Sequence, residues 1–324
     1  MNLAGLPAAA LGFLGRHGTR AVAASLFLGL AVPPLAALFK PLVPAAVIAL
    51  LVLAFLRVDP RELRLHFAAP SLVLAAAAWI MLVTPAALGT AFLLSGATDR
   101  MPSLLLGLVL QAVAPPIMSA PAFAALMGLE AALSLATLIV CMAVTPVTAS
   151  IFARALLGTA STLSPLALGA KLFLILAGTA AAAALVRWMF GPRWVARQRE
   201  RIDGLGVVLL FIFAVAVMDG IAARLVADPG FIAGVAALAF ALALGQTALT
   251  TIVFARAGWG RAFALGLSCG HRNMGLMLAA TAGGVPDLTW LYFGLAQFPT
   301  YLVPQLLKPL ARRLGPVRPA TGGE

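Results

Sequence analysis

The chain has 324 residues, of which 63% are hydrophobic and 10% are charged, with a formal net charge of +12. Soluble domains carry about 25% charged residues and about half apolar ones, so this chain cannot bury its apolar excess internally. The composition excludes a soluble enzyme, a nucleic-acid-binding module and a disordered regulator. It predicts an all-α integral membrane protein whose surroundings are the lipid bilayer.

A membrane-spanning helix needs about 20 mostly apolar residues. The apolar runs between charges and Pro or Gly breaks predict ten transmembrane helices, which are numbered as spans 1 to 10 in chain order. They cover residues 20–39, 41–56, 70–95, 103–128, 131–157, 165–187, 203–226, 230–256, 261–284 and 287–309. Because the number of spans is even, both chain ends are expected on the same side of the membrane.

The basic residues are distributed unequally between the two sides of this arrangement. Of the 22 Lys and Arg residues, four lie on the side opposite the termini, two lie within spans, and the others lie on the N-terminal side. Basic loops are retained in the cytoplasm, so both termini are predicted to be cytoplasmic. We expect a plasma membrane, of the bacterial inner-membrane kind. The loops also account for the +12 charge without a polyanionic partner.

The spans divide equally between two halves of the chain, residues 1–162 and residues 163–324. Five is an odd number, so the second half enters the membrane from the opposite face, which is an inverted repeat. The fourth span of each half also contains an interruption near its middle, and this correspondence supports the repeat.

The two interruptions have different residue types. In span 4, the stretch QAVAPPIMSAPAF contains Pro115, Pro116 and Pro121, which lack backbone donors and break the helix. In span 9, the stretch SCGHRNMG includes Gly270 and several polar residues at the same predicted depth. Broken backbone at that depth needs protein or a water-filled cavity around it. We therefore expect a binding site at the midplane; alternatively, both spans are kinked packing helices.

Arg272 lies in the second interruption, where a charge is costly. Its planar fork suits a carboxylate, sulfonate or phosphate group, which predicts an anionic substrate. Alternatively, Arg272 neutralises carbonyls freed by the broken helices and contacts no substrate. Neighbouring His271 is either a proton-coupling group or a neutral, hydrogen-bonded side chain. Asn273 supplies both a donor and an acceptor and is predicted to belong to the site.

Two further ionisable residues lie inside predicted spans, Lys171 in span 6 and Asp219 in span 7. Consecutive antiparallel spans bring them to nearly equal depth, about 10 Å below the outer surface by helical rise. We predict a structural ion pair between them; alternatively, Asp219 carries a proton or a cation.

Single polar residues near the interruptions complete the set of candidates. Ser119 flanks the first interruption, and Gln297 lies on span 10; both are predicted to contact substrate. Ser134 on span 5 and Ser268 on span 9 are candidates for ion coupling, together with His271. Gln246 on span 8 is a further candidate, although isolated polar residues in membrane helices more often bond a neighbouring helix.

Two runs resemble the bile acid:sodium symporter family, which shares a superfamily with arsenite and auxin-type carriers. They are LVLQAVAPPIMSAPAFAALMGLEAALSLATLIVCMAVTP in spans 4 and 5 and ALGLSCGHRNMGLMLAA in span 9. The resemblance implies ten helices in an inverted five-plus-five repeat, with spans 4 and 9 crossing as broken helices. It also implies a core of spans 3–5 and 8–10 that moves against a panel of spans 1, 2, 6 and 7. That arrangement places Lys171 and Asp219 together in the panel.

The chain departs from the sodium-coupled members of that family where they bind sodium. Those members have a glutamate at the position of Ser268 and a glutamine at the position of Arg272. Ser134 is retained, and Asn273 matches the family's asparagine near the substrate. The remaining sodium ligands are replaced by Ile80, Ala120, Pro121 and Leu138. A sodium site needs oxygen ligands and usually a carboxylate, so sodium is left as an open question, and no other metal or cofactor is expected.

The resulting expectation is a secondary transporter that moves a small organic anion, such as a carboxylate, a sulfonate or a bile-acid-like molecule, by alternating access. Arg272 takes the place of the coupling cation, so transport is expected to be independent of sodium. The alternatives are a sodium- or proton-coupled symporter of the same family and a channel-like membrane protein. Because HExxH, acidic metal motifs and paired carboxylates do not occur in the sequence, we do not expect an enzyme. The oligomeric state is not predicted.

Overall fold

A computed structural model describes residues 24–58, 70–96, 100–157, 164–282 and 284–314. This part of the chain is built of α-helices, without a β-strand. Six stretches within it are long and apolar enough to cross a membrane: Pro33–Arg57, Pro70–Leu94, Ala131–Leu157, Pro165–Phe190, Arg199–Ala227 and Pro229–Val253. The chain is therefore an all-α membrane protein.

The helices are numbered here in chain order. They are α1 (24–31), α2 (Pro33–Phe39), α3 (Val43–Arg57), α4 (Pro70–Leu94), α5 (Pro102–Val113), α6 (Ala120–Leu126), α7 (Ala131–Leu157), α8 (Pro165–Phe190), α9 (Pro192–Arg197), α10 (Arg199–Ala216), α11 (Ile221–Ala227), α12 (Pro229–Val253), α13 (Trp259–Gly270), α14 (Met274–Ala280) and α15 (Asp287–Arg313).

The two interruptions account for two of the four predicted spans that are missing from the six long apolar stretches. Span 4 is divided into α5 and α6, and span 9 is divided into α13 and α14. Span 10 is the single helix α15, which carries Asp287 at its start and basic residues in its last turn. Spans 3, 5, 6 and 8 correspond closely to single helical stretches. The total of ten spanning helices and their inverted repeat stay a prediction.

The predicted boundary between the first two spans, at about residue 40, falls inside the helical stretch Pro33–Arg57. The backbone there only tightens to a 3₁₀ segment at Lys40–Leu42. The helical backbone is interrupted earlier, at Val32, the residue before Pro33. Val32 has φ −125° and ψ 72°, which are not helical angles. A residue before proline disfavours the α conformation, although Lys40 and Val43 keep it before Pro41 and Pro44. The predicted start of span 1, at residues 20–23, lies outside the described residues.

The predicted ion pair between Lys171 and Asp219 is wrong. Asp219 accepts from Lys40 instead, with 2.8 Å between Lys40 Nζ and Asp219 Oδ2, and Lys171 is exposed on α8. The prediction assumed that α8 and α10 are neighbours because they are consecutive long helices. In the structure, α3 packs against both of them, so Asp219 meets the residue that begins the turn into α3.

We expect the Lys40–Asp219 pair to contribute little to stability. The two side chains are 46% and 22% exposed, and such pairs typically contribute about 0.2–1 kcal/mol to the free energy of unfolding. A double-mutant cycle of Lys40→Ala and Asp219→Ala, measured by thermal unfolding, should give a coupling energy in that range. The matched cycle with Lys171→Ala should give none, and a coupling there would contradict the observed pairing.

The helices pack into two groups around the interruptions. The first group consists of α4 to α7 and α12 to α15, and it contains the point where α5, α6, α13 and α14 meet. Within it, α7 packs against α4, α5, α6 and α13. Helices α2, α3, α8 and α10 form the second group, and α8 also packs extensively against α7 of the first group. Helix α14 contacts the second group through Gly275, where an added Cβ would lie 3.3 Å from Val47 and 3.4 Å from Phe213.

Candidate functional site

The two interruptions pair with each other across the centre of the first group. Pro116 and Arg272 form an isolated antiparallel bridge. The N–H of Ile117 donates to the carbonyl of His271, and the N–H of Asn273 donates to the carbonyl of Pro115, each over 2.8 Å. The structure therefore brings the predicted proline break and the predicted polar break into direct contact, with Pro121 in the first turn of α6 and Gly270 at the end of α13.

Arg272 extends from this crossing into a cage of neutral acceptors and is only 2% exposed. Nη1 donates to the carbonyls of Ile80 at 3.1 Å and Ala114 at 2.9 Å. Nε and Nη2 both donate to Gln246 Oε1 at 3.3 Å. Nη2 also contacts Cys269 Sγ at 3.6 Å. These five contacts match the five N–H groups of a guanidinium.

The carbonyl of Ile80 is free because the backbone of α4 changes register beside it. Residues Trp79–Val83 form a π-helical segment, in which the N–H of Thr84 donates to Trp79 five residues earlier. In that register Ile80 would pair with the nitrogen of Pro85, which carries no hydrogen. Arg272 supplies the missing donor, and it does the same for Ala114, the residue that ends α5.

The charge of Arg272 has no carboxylate partner in the described part of the chain. The ion pairs found there join Lys40, Arg57, Arg224 and Arg261 to acidic residues. In this conformation the N–H groups of Arg272 contact protein acceptors, two of which are freed backbone carbonyls. Its charge nevertheless persists at the crossing, because hydrogen-bonded carbonyls lower its energy without cancelling it.

The other predicted substrate residues make local hydrogen bonds or, for Ser119, none with the described residues. Asn273 caps α14 by accepting from the N–H of Leu276. The Nδ1 of His271 lies 2.8 Å from the carbonyl of Leu267. Gln297 donates to Phe293 on its own helix. The hydroxyl of Ser119 makes no hydrogen bond with the described residues. None of these side chains is bonded to Arg272 in this conformation.

Ser134 and Ser268, the candidates for ion coupling, do meet. Their hydroxyl oxygens are 2.9 Å apart and both residues are fully buried between α7 and α13. Ser268 also donates to the carbonyl of Ala264, which leaves Ser134 to donate to Ser268. No group of three or more His, Cys, Asp or Glu side chains with metal-binding geometry occurs among the described residues.

Sequence reasoning did not identify the acceptors of Arg272. The carbonyls of Ile80 and Ala114 carry no side-chain signal, and Gln246 was one of many isolated polar residues. Pro85 inside an apolar span indicates a free carbonyl four residues earlier, at Met81, and so does not identify Ile80. No family model matches this chain, and no curated protein matches it.

Proposed function

We propose that this chain is a secondary transporter of a small organic anion, related to the bile acid:sodium symporter family. In this proposal ten helices span a plasma membrane in an inverted repeat of residues 1–162 and 163–324, with both termini in the cytoplasm. The first group of helices forms the core with the crossing, and the second forms the panel. Apolar spanning helices and the direct pairing of two interrupted helices support this assignment.

The observation that carries the proposal is the buried guanidinium of Arg272 at the crossing, which has no carboxylate partner among the described residues. A positive charge with no anionic partner, held in low-dielectric surroundings, attracts an anion far more strongly than the same charge in water. An ionisable residue at such a depth usually serves a substrate or ion pathway. A substrate anion would complete the charge balance that the described residues leave open.

The same contacts support independence from sodium. Three oxygen atoms, the carbonyls of Ile80 and Ala114 and the amide oxygen of Gln246, surround a fixed cation. Oxygen atoms of this kind are also the ligands that hard metal cations prefer. In the proposal, the guanidinium occupies that place permanently, so no free cation is needed to hold the crossing together or to balance the substrate.

The test is uptake into proteoliposomes with a panel of labelled carboxylates, sulfonates and bile-acid-like amphipaths. We expect saturable uptake of one of these classes, at equal rates in sodium and choline buffers. Arg272→Gln should lower that uptake by about tenfold or more, the effect of losing a hydrogen bond to a charged group. The exposed Arg154 on α7 supplies the matched control, Arg154→Gln, which should transport normally.

Three results would overturn the proposal. They are uptake that requires sodium, uptake unaffected by Arg272→Gln, and absence of uptake across the whole panel. Rates are compared per folded protein, using the monodisperse fraction from size-exclusion chromatography. The sodium comparison uses the wild-type protein, so it stands even if the variant folds poorly.

A further inference from the structure

A crevice of about 160 Å³ lies between α4 and α12. At its rim Val83, Ala87, Ala241 and Gly245 are exposed. Both helices belong to the stretches that are apolar enough to span a membrane. The crevice therefore opens sideways into hydrocarbon, and a ligand that enters from that side needs an apolar body.

One end of the crevice is closed by a hydrogen bond between its two helices. The indole Nε1 of Trp79 donates to Thr250 Oγ1 over 2.9 Å. Leu88, Leu242 and Leu249 line the remaining wall with apolar atoms. Apolar cavities of about 150 Å³ stay dry and bind molecules as large as benzene. This volume therefore accommodates a short section of a hydrocarbon chain, and the rest of the chain would lie in the bilayer.

The floor of the crevice is different, because it contains Gln246 and Cys269. These are the two side chains that contact Nη2 of Arg272. Gln246 is 6% exposed, and its Nε2 makes no hydrogen bond with the described residues while its Oε1 accepts from Arg272. The contact from Nη2 to the Cys269 thiol is long, and sulfur is a weak acceptor.

At the floor of the crevice, Nε2 of Gln246 has no acceptor among the described residues, and behind Cys269 one N–H of Arg272 Nη2 has only the thiol as acceptor. A carboxylate has two oxygen atoms that accept from both, and its charge balances the guanidinium. We propose that this crevice binds a membrane-dissolved monocarboxylate, whose carboxylate replaces the Cys269 thiol at Arg272 and whose hydrocarbon chain lies between α4 and α12. The inference rests on the proposed function and deepens it by naming the substrate class.

Two glycines on α12 provide matched variants for the test. An added Cβ meets no atom within 4 Å at Gly245 or at Gly234, so a side chain starts in open space at both of these exposed positions. Only Gly245 lines the crevice. Gly245→Leu fills the crevice, whereas Gly234→Leu makes the same change elsewhere on the same helix.

The experiment is equilibrium binding of radiolabelled decanoate to the full chain in lipid nanodiscs, with empty nanodiscs subtracted. We expect saturable binding to the wild type and to Gly234→Leu, and binding about tenfold weaker or more to Gly245→Leu. Decanol, which has the chain without the carboxylate, and acetate, which has the carboxylate without the chain, should each compete at least about tenfold less well.

Equal binding to Gly245→Leu and wild type, equal competition by decanol, or no saturable binding would each overturn the crevice assignment. Failure of the crevice is distinguishable from failure of the proposed function. If the chain takes up a water-soluble anion through Arg272 but does not bind decanoate, the crevice assignment is wrong and the proposed function stands. If the chain binds decanoate as expected but takes up no anion, the crevice assignment stands and the proposed transport function is wrong.

Discussion

Replacing Arg272 with alanine is expected to lower the free energy of unfolding by about 2–6 kcal/mol, since two buried carbonyls then lack a donor at about 1–3 kcal/mol each. The carbonyls are those of Ile80 and Ala114. Thermal unfolding in nanodiscs measures the change. Arg154→Ala, at an exposed position on a helix, is the control and should stay close to the wild type.

A small guanidinium ion should restore part of this loss. Truncation to alanine leaves a space whose walls still present the carbonyls of Ile80 and Ala114 and the amide oxygen of Gln246. Methylguanidinium, added at concentrations too low to denature the wild type, should raise the melting temperature of Arg272→Ala in a saturable way. Methylammonium, which carries the charge without the planar fork, should raise it less. Unchanged stability in Arg272→Ala would contradict the structural role given to the side chain.

The second large effect is expected at Gly270, where α13 ends. An added Cβ would collide with Thr247 Oγ1 and with the carbonyl of Ala243 on α12. Backbone cannot move aside as a flexible side chain does, and overpacking typically costs about 1–3 kcal/mol or more. Gly270→Ala should therefore destabilise the chain and shift α13 relative to α12, which moves the neighbouring Arg272 from its acceptors.

Gly266 shows why the contact is so close. It lies one turn before Gly270, and its added Cβ would collide with Thr251 and with the carbonyl of Thr247. Small residues spaced four apart on a membrane helix allow two backbones to approach closely. Gly266→Ala should therefore resemble Gly270→Ala. Uptake and thermal unfolding are both measured, because loss of uptake with normal stability would point to displacement of Arg272 alone.

Gly234→Ala and Gly245→Ala are the controls for this prediction. Both glycines lie inside α12, and an added Cβ meets no atom within 4 Å at either position. Alanine is preferred over glycine in a helix by about 0.5–1 kcal/mol, so both variants should be as stable as the wild type or slightly more stable. Equal destabilisation at all four glycines would show that the close contact between α12 and α13 is not the cause.

Local features of the sequence predicted most of the helical stretches and both interruptions. Apolar runs of about 20 residues indicate spanning helices because unpaired backbone groups are costly in lipid. Pro115 and Pro116 lack N–H groups, so they end α5 whatever the tertiary surroundings of the helix are. Predictions that depended on which helices are neighbours did less well. Asp219 pairs with Lys40 because α3, and not α8, lies beside α10.

The sequence by itself determined an all-α membrane chain with Arg272 inside its second interrupted helix, because hydropathy and proline act on the local backbone. Only the tertiary structure decided what Arg272 binds. Its acceptor Ile80 is 192 residues away, and that carbonyl is free only because α4 changes to π-helical register before Pro85. Backbone acceptors have no sequence signature of their own. Their role at the crossing therefore depends on the packing of α4, α5 and α12 around one guanidinium.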